Sequence, residues 1–199
     1  MDFIASDLHI NHLGILNYCP NRRMGKDIPT PENINEMVHE MNEKIISNWN
    51  SLIEPQDTVS LLGDVAMGKI ADAPGLIRRL NGKKHLIKGN HDKTLCKLPE
   101  VNELFISIQD YKEITYKYND KKHLICMFHF PIASWNGMSR ENSSIHLHGH
   151  THCSHGHHIS AGAIMDVGID GNNLFPYRLD QVVELTLQNA KNNPPKHHH

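Results

Sequence analysis

Five short apolar segments in this chain each end directly in a side chain that can bind a metal ion. They are 3–6 before Asp7, 59–63 before Asp64, 86–89 before Asn90, 125–128 before His129 and 145–149 before His150. Runs of this length, bounded by glycine or turn residues and partly β-branched, are typical of buried strands. Because sites in open α/β sheets are built outside the carboxyl ends of the strands, the pattern predicts that these side chains share one crevice.

Helical patterns lie between the predicted strands. Thr30-Pro31-Glu32 is typical of a helix start, and apolar residues follow it at helical spacing as far as Trp49. A second helix is predicted from Asp72 to Leu80, with Gly82 beyond its end. Residues 179–188 favour a helix, with a strand as the alternative. Further strands are predicted at 104–110, 111–118 and 122–128, the last two joined by a turn at Asn119-Asp120.

Length and charge limit the fold and the partners. With 199 residues, 39% of them hydrophobic, the chain can bury one sizeable core, so residues 1–193 are predicted to form a single domain. Residues 194–199 end in three histidines and are interpreted as a tail with the remnant of a purification tag. A net charge of −2 gives no general basic field, so stable nucleic-acid binding is not expected and a small anionic partner fits better.

Two pairs of ligand-type residues are spaced for metal binding. Asp7-Leu8-His9 and His150-Thr151-His152 each place two ligands on alternate residues, which would point to the same side of an extended backbone. Gly63 would let the chain turn so that the Asp64 carboxylate faces the crevice, where its two oxygens can bridge two cations. Each short motif alone is more often structural.

The segment Gly89-Asn90-His91-Asp92 adds groups suited to catalysis. The Asn90 amide oxygen is a ligand type, the His91 imidazole beside it can reach a substrate, and Asp92 is available to orient that ring. His129 lies at a strand end, and Pro131 stops ladder pairing two residues later.

Taken together, the motifs DxH, GD, GNHD, H and GHxH occur in an order that resembles the calcineurin-like metallophosphoesterase family. Segments 14–16, 49–50, 134–138 and 167–170 look like a compact bacterial and phage branch with one domain. The resemblance implies an α/β fold, a four-layer α-β-β-α sandwich in which helices flank two mixed sheets. It also implies a dinuclear metal site at the carboxyl ends of the strands.

The resemblance also implies roles for single residues. Asp7, His9 and His152 would bind one divalent ion, Asn90, His129 and His150 the other, and Asp64 both. Catalysis would rest on His91 as the acid, oriented by Asp92, with attack by a hydroxide that bridges the metals and without a covalent phosphoenzyme. Since the ligands mix imidazole, carboxylate and amide oxygen without thiolate, Mn, Fe, Zn, Co and Ni all fit. Two divalent ions are expected, with Mn as the expected metal.

The implied reaction is hydrolysis of a phosphodiester or phosphomonoester in a small molecule such as a nucleotide or cyclic nucleotide. The candidate substrate-binding residues are Asn90, Arg22, Arg23, Trp135, Asn136, Arg140 and His148. The chain has Arg22-Arg23-Met24 where such sequences often carry Arg-Pro-Phe, which leaves open which arginine takes that place.

Three alternatives remain at this point. One is a nuclease with the same dinuclear chemistry, the second a non-catalytic scaffold that binds a partner protein, and the third metal storage by the seven histidines between His146 and His158. Most of the extra histidines, including His155, His157 and His158, are expected in strand packing or exposed loops.

The remaining expectations concern location and assembly. Four cysteines without CxxC spacing predict reduced thiols. No apolar run is long enough for a membrane span, so a cytoplasmic protein without membrane contact is expected, in the host cytoplasm if a phage encodes it. It would be a monomer or a small homo-oligomer.

Overall fold

The computed structural model describes residues 1–139, 144–153 and 162–193. In these residues the strands are β1 Asp2–Ala5, β2 Thr58–Leu61, β3 Lys83–Ile87, β4 Ser107–Gln109, β5 Tyr111–Tyr118, β6 Lys121–Phe128, β7 Ser144–His148, β8 Ile164–Asp166 and β9 Tyr177–Arg178. The α-helices are α1 Ile15–Tyr18, α2 Ile34–Asn50, α3 Ala73–Arg78, α4 Asp92–Leu95, α5 Val101–Leu104 and α6 Leu179–Asn192. Short 3₁₀ helices occupy Pro20–Arg23, Ile70–Asp72 and Ile169–Asn172. Arg140, three histidines of the His-rich tract and the predicted tail lie outside the described residues.

The strands form two mixed sheets, as expected. The first has the order β4-β3-β2-β1-β9, in which β9 is antiparallel to β1 and the other neighbours are parallel. The second has the order β5-β6-β7-β8, in which β5 and β6 are antiparallel and the other pairs parallel. The chain therefore has an α/β fold.

The register of the first sheet places three ligand-bearing loops at one level. Ala5 pairs with Leu61, and Leu61 pairs with Leu86, so β1, β2 and β3 end side by side. The next residues along the chain carry Asp7, Asp64 and Asn90. The crevice predicted from the strand ends is therefore built mainly by the register of three parallel strands.

Apolar side chains fill the space between the sheets. Ile4 and Ile87 of the first sheet share a buried cluster with Ile125 and Ile145 of the second, and α6 adds Val182. The residues at 179–188 are thus helical, the favoured interpretation. The opposite face of the first sheet is covered by helices, with α2 and α3 in one core cluster; its fully buried members include Met41, Ile45, Trp49 and Ile77.

The outer face of the second sheet departs from the expected four layers. Cys126 and Ile164 on this face pack against Trp135, with Ile132 and Met138 partly buried beside them. Residues 131–139 contain turns and no helix. Within the described part of the chain, this irregular segment occupies the position where the resemblance implied a layer of helix.

Three predicted boundaries also differ. Helix α2 begins at Ile34, after a turn at 31–33, although the Ile34 N–H already donates to the Thr30 carbonyl at 3.0 Å. The second predicted helix is shorter, at Ala73–Arg78. The predicted strand at 104–110 begins only at Ser107, because Val101–Leu104 forms a short helix.

Two simpler expectations can be compared directly with the structure. Cys19, Cys96 and Cys126 are free thiols. Over the described ranges, none of the helices combines the length and apolar character that crossing a membrane requires.

Candidate metal centre

The backbone at the strand ends curls where an extended chain was expected. Asp7, His9, Asp64, His150 and His152 all have positive φ, between 49° and 69°. This left-handed conformation is uncommon for residues other than glycine, and it concentrates at functional sites where surrounding structure holds it. The two ligand pairs therefore converge through left-handed turns, and the interpretation from an extended backbone was wrong in its geometry.

Two glycines permit the close approach of these turns. Gly63 has φ +85°, and a Cβ there would collide with the backbone nitrogen of Gly89. At Gly149 a Cβ would collide with the Ser6 hydroxyl and the Asp7 carboxylate. A side chain at either position would push ligand-bearing loops apart.

One group of ligand atoms consists of Asp7, His9 and His152, all lying within 4.8 Å of one another. Asp7 Oδ1 is 4.0 Å from His9 Nε2, and both residues are almost completely buried. These residues come from opposite ends of the sequence, and the fold brings them together.

The second group consists of Asp64, His129 and His150, whose ligand atoms also lie within 4.8 Å of one another. The Asn90 amide oxygen is 3.0 Å from His129 Nε2. Asp64 Oδ2 lies 3.7 Å from His9 Nε2 and 3.5 Å from His129 Nε2. The Asp64 carboxylate therefore stands between the two groups.

The histidine rings are held by contacts to their Nδ1 atoms. His129 Nδ1 is 2.6 Å from the Leu62 carbonyl, His152 Nδ1 is 2.7 Å from Asp170 Oδ2, and His9 Nδ1 is 3.0 Å from His12 Nδ1. Metal-bound histidines are commonly fixed in this way by a partner of the second ring nitrogen. The arrangement leaves Nε2 of His9 and His129 close to the Asp64 carboxylate, at 3.7 and 3.5 Å.

The donor set fits divalent cations. His9 Nε2 is buried and has no hydrogen-bond partner. A carbonyl can only accept, so His129 Nδ1 must donate to Leu62, which leaves His129 Nε2 beside the Asn90 amide oxygen and the Asp64 carboxylate. The chemistry of the groups does not select one metal.

The electrostatics differ among the three ligands of the first group: despite burial, the hydrogen bond with Asp170 raises the pKa of His152 to about 10. Burial raises the pKa of Asp7 to about 7, despite the opposing influence of His152 and His129. Burial, together with the charge of Arg22, lowers the pKa of His9 to about 2. Bound cations are often the largest local charges in such a site and would favour both deprotonated ligands.

Asp92 has a different contact from the one predicted. Its Oδ1 accepts the N–H of Val65 at 2.9 Å, and its Oδ2 accepts those of Asp64 at 2.9 Å and Gly89 at 2.8 Å. These bonds tie the Asp64 loop to the Asn90 loop. Asp92 is therefore placed as a positioning residue for two loops, and the expectation that it orients the His91 ring is corrected.

His91 lies at the entrance to the crevice. Its backbone N–H donates to Asp64 Oδ1 at 2.9 Å, and its Nε2 is 3.9 Å from Asp64 Oδ2. The side chain is 39% exposed and lines a cavity of about 750 Å³. Other residues lining this cavity include His9, His12, Tyr18, Asn21 and His152.

The structure corrects the expectation for Arg22. Its side chain is fully buried, and it forms an ion pair with Asp170 at 2.7 Å. A guanidinium placed there cannot contact a substrate in the cavity. Arg23 donates to the carbonyls of Leu16 at 2.6 Å and Asn17 at 3.2 Å.

The other substrate candidates lie away from the described lining of the cavity. Trp135 is buried beside His146, and Asn136 donates to Glu113 at 3.0 Å. His148 is buried with its Nδ1 2.8 Å from the Gly149 carbonyl. Arg140 lies outside the described residues. Of the predicted set, Asn90 is the residue placed among the candidate ligands.

Sequence reasoning missed two residues beside the ligands. His12 follows His9 by three positions, and a histidine so near a predicted ligand was a usable signal. Asp170 lay within a segment that resembled the family but had no predicted role. The structure groups it with Cys19 and His152 as a third candidate cluster. Both oxygens of Asp170 already contact Arg22, however, and one of them also contacts His152.

Comparison with known proteins now decides the family. The uncharacterized protein MJ1445 of Methanocaldococcus jannaschii is 30% identical over 189 residues, which are 92% of this chain and 89% of that protein. The chain belongs to this family. The five motifs of this chain, in their order, identify that family as the calcineurin-like metallophosphoesterases.

Two other proteins similar to this metallophosphoesterase family member also match most of the chain. The gene 66 protein of Mycobacterium phage D29 is 26% identical over 171 residues, covering 75% of this chain and 77% of that protein. The solved structure of AQ665 from Aquifex aeolicus, a protein of unknown function, has a TM-score of 0.61 and 22% identity, covering 93% of this chain and 98% of that one. It supports the fold alone. No family model matches the chain.

Proposed function

We propose that this protein is a metal-dependent phosphoesterase that hydrolyses a phosphodiester or phosphomonoester in a small, nucleotide-like molecule. The observation that carries the proposal is the position of Asp64 Oδ2, within 3.7 Å of His9 and 3.5 Å of His129, which belong to the two ligand groups. In the proposal, one divalent ion is bound by Asp7, His9 and His152, and the other by Asn90, His129 and His150. Asp64 contributes to both.

Divalent ions in such a pair supply Lewis-acid polarisation of the phosphoryl oxygens and increase the acidity of a water molecule. The role of the chain is to orient the reacting groups. His91 stands beside Asp64 with its Nε2 toward the crevice, where it can hydrogen-bond the phosphate or protonate the leaving oxygen. The adjoining cavity offers room for the ester group, with Tyr18 at its rim, 81% exposed.

The functional test compares wild type with Asp64→Asn, which keeps the shape of the side chain but weakens its binding of cations. Apo protein is loaded with Mn²⁺ and assayed on bis(p-nitrophenyl) phosphate, p-nitrophenyl phosphate and cyclic nucleotides. We expect Asp64→Asn to reduce kcat by about 10²–10³-fold, the scale seen when a main electrostatic stabiliser is lost. Asp110→Asn, an exposed residue paired with Lys88, is the matched control. Full activity of Asp64→Asn would require the assigned site to be abandoned.

The same assay separates the rivals. Duplex DNA cut as readily as the small diesters would favour the nuclease, against which the net charge of −2 argues. A protein that binds both ions but hydrolyses none of these substrates would favour the non-catalytic scaffold.

A further inference from the structure

The Arg22 side chain contacts the backbone carbonyls of Asp7 and Leu8 and the Asp170 carboxylate, and it does not line the substrate cavity. We infer that Arg22 is a positioning residue that holds Asp7, His9 and His152 in the geometry needed to bind one of the two metal ions. The inference rests on the proposed function, which names the metal ligands. It assigns a role to Arg22, which would itself contact no metal.

The ion pair with Asp170 reaches His152. Arg22 Nε donates to Asp170 Oδ1 at 2.7 Å, and its Nη2 donates to Oδ2 at 2.8 Å. The same Oδ2 is 2.7 Å from His152 Nδ1. Because a carboxylate accepts, the His152 proton is held on Nδ1, and Nε2 is left as the ligand atom. Arg22 fixes the carboxylate that fixes the ring.

The remaining donors reach the loop that carries the other two ligands. Nη2 also donates to the Asp7 carbonyl at 2.6 Å, and Nη1 donates to the Leu8 carbonyl at 2.8 Å. Asp7 and His9 both have left-handed backbone conformations, with φ of 59° and 49°. Such conformations persist only where surrounding contacts enforce them. The two hydrogen bonds to this loop supply such contacts.

A lysine could not replace these contacts. The planar guanidinium presents five N–H donors in a rigid fork, whereas an ammonium is a point charge with three donors. All five donors of Arg22 have partners, the fifth being Met41 Sδ at 3.9 Å. The neighbouring Arg23 makes none of these contacts and donates instead to two carbonyls of α1, those of Leu16 and Asn17.

The test uses two variants, one at each partner of the ion pair between Arg22 and Asp170. Arg22→Lys keeps the positive charge and loses the fork. Asp170→Asn keeps the shape but loses the negative charge and one of the two acceptor oxygens, so its NH₂ group, which cannot accept, must face a donor of Arg22 or His152. Arg79→Lys is the matched control, because Arg79 makes a bidentate pair with Glu43 on the surface, at 2.7 Å for each bond.

The measurement is calorimetric titration of Mn²⁺ into each metal-free protein, with melting temperature recorded separately. We expect wild type and Arg79→Lys to bind two ions. Arg22→Lys and Asp170→Asn should bind one ion with wild-type affinity and the other about 10–100-fold more weakly, the usual effect of losing a partner of a ligand. If Arg22 and Asp170 served the fold alone, their substitution would lower the melting temperature and leave the affinities for both ions unchanged.

Double variants identify the ion that is lost. Asp170→Asn combined with His129→Ala should weaken both sites, whereas combined with His9→Ala it should add little to His9→Ala alone. Additive loss with His9→Ala, or normal binding of both ions by the folded single variants, would overturn the inference while the proposed function stood. Wild type that bound no Mn²⁺ would instead contradict the proposed function.

Discussion

At the scale of single residues, His91 is the group best placed to act on a substrate without holding a metal. Replacing it by Asn should reduce kcat by about 10²–10⁴-fold on an alkyl diester, because proton donation to a poor leaving group is lost. The loss should be much smaller with a nitrophenyl leaving group, which needs little protonation. Steady-state kinetics on both substrate types checks this, with metal stoichiometry as the control. Equal losses on both would argue against the role as acid.

Several residues show why the site was only partly predictable. Asp7, Asp64 and His129 follow apolar runs that are visible locally, so their types and positions were available in the sequence. Arg22 and Asp170 are 148 residues apart, and neither lies in a pattern that indicates the other. Asp92 was predicted to orient the ring of His91, its neighbour in the chain. It accepts instead from backbone N–H groups, and these contacts leave no pattern in the sequence.

At the scale of elements, the segments that follow the strands approach so closely that they leave no room for additional side-chain atoms. Gly149→Ala would place a methyl group against the Ser6 hydroxyl and the Asp7 carboxylate. We expect unfolding free energy to fall by about 1–3 kcal/mol, as for other overpacked sites, with weaker binding of the first ion. Urea unfolding and metal titration measure the two effects. Gly75→Ala is the control, since its Cβ would meet no atom within 4 Å.

The β5–β6 hairpin gives a second prediction at this scale. Asn119 and Asp120 both have positive φ, 47° and 61°, as a type I′ turn requires. Asp120→Gly should therefore be tolerated or increase the unfolding free energy by up to about 1 kcal/mol, whereas Asp120→Val should decrease it by more than about 1 kcal/mol. Urea unfolding of both variants compares them. A more stable Val variant would contradict the assigned turn.

Elements were predicted best where the pattern was strong and local. The Asn119-Asp120 turn and the amphipathic α2 were found in this way. The irregular cover of the second sheet was not predicted, because Ile132, Trp135 and Met138 have no regular spacing that distinguishes a packed loop from a helix. Strand β4 begins three residues later than predicted, because Val101–Leu104 forms a helical turn that buries the side chains of Val101 and Leu104.

At the scale of the whole molecule, metal binding should be linked to protons and to stability. Imidazole and carboxylate ligands bind metals only when deprotonated, so the affinity for Mn²⁺ should rise with pH and binding should release protons. Titration in buffers of different ionisation enthalpy measures the release. An affinity independent of pH between 5 and 8 would contradict the assigned ligands.

The ions should also stabilise the fold, because the ligands come together only in the native state. Free Mn²⁺ at 100 times its dissociation constant should add about 2.7 kcal/mol for each site, and a chelator should reverse the effect. Thermal unfolding with and without chelator checks the change, with Asp64→Asn expected to respond little.

The most direct test of the central claim is anomalous diffraction at the manganese edge from crystals grown with Mn²⁺. The account predicts two peaks about 3.5–4 Å apart, with the Asp64 carboxylate between them. One ion should contact Asp7, His9 and His152, and the other Asn90, His129 and His150. A single peak, or ions bound elsewhere while these side chains contact no metal, would contradict it.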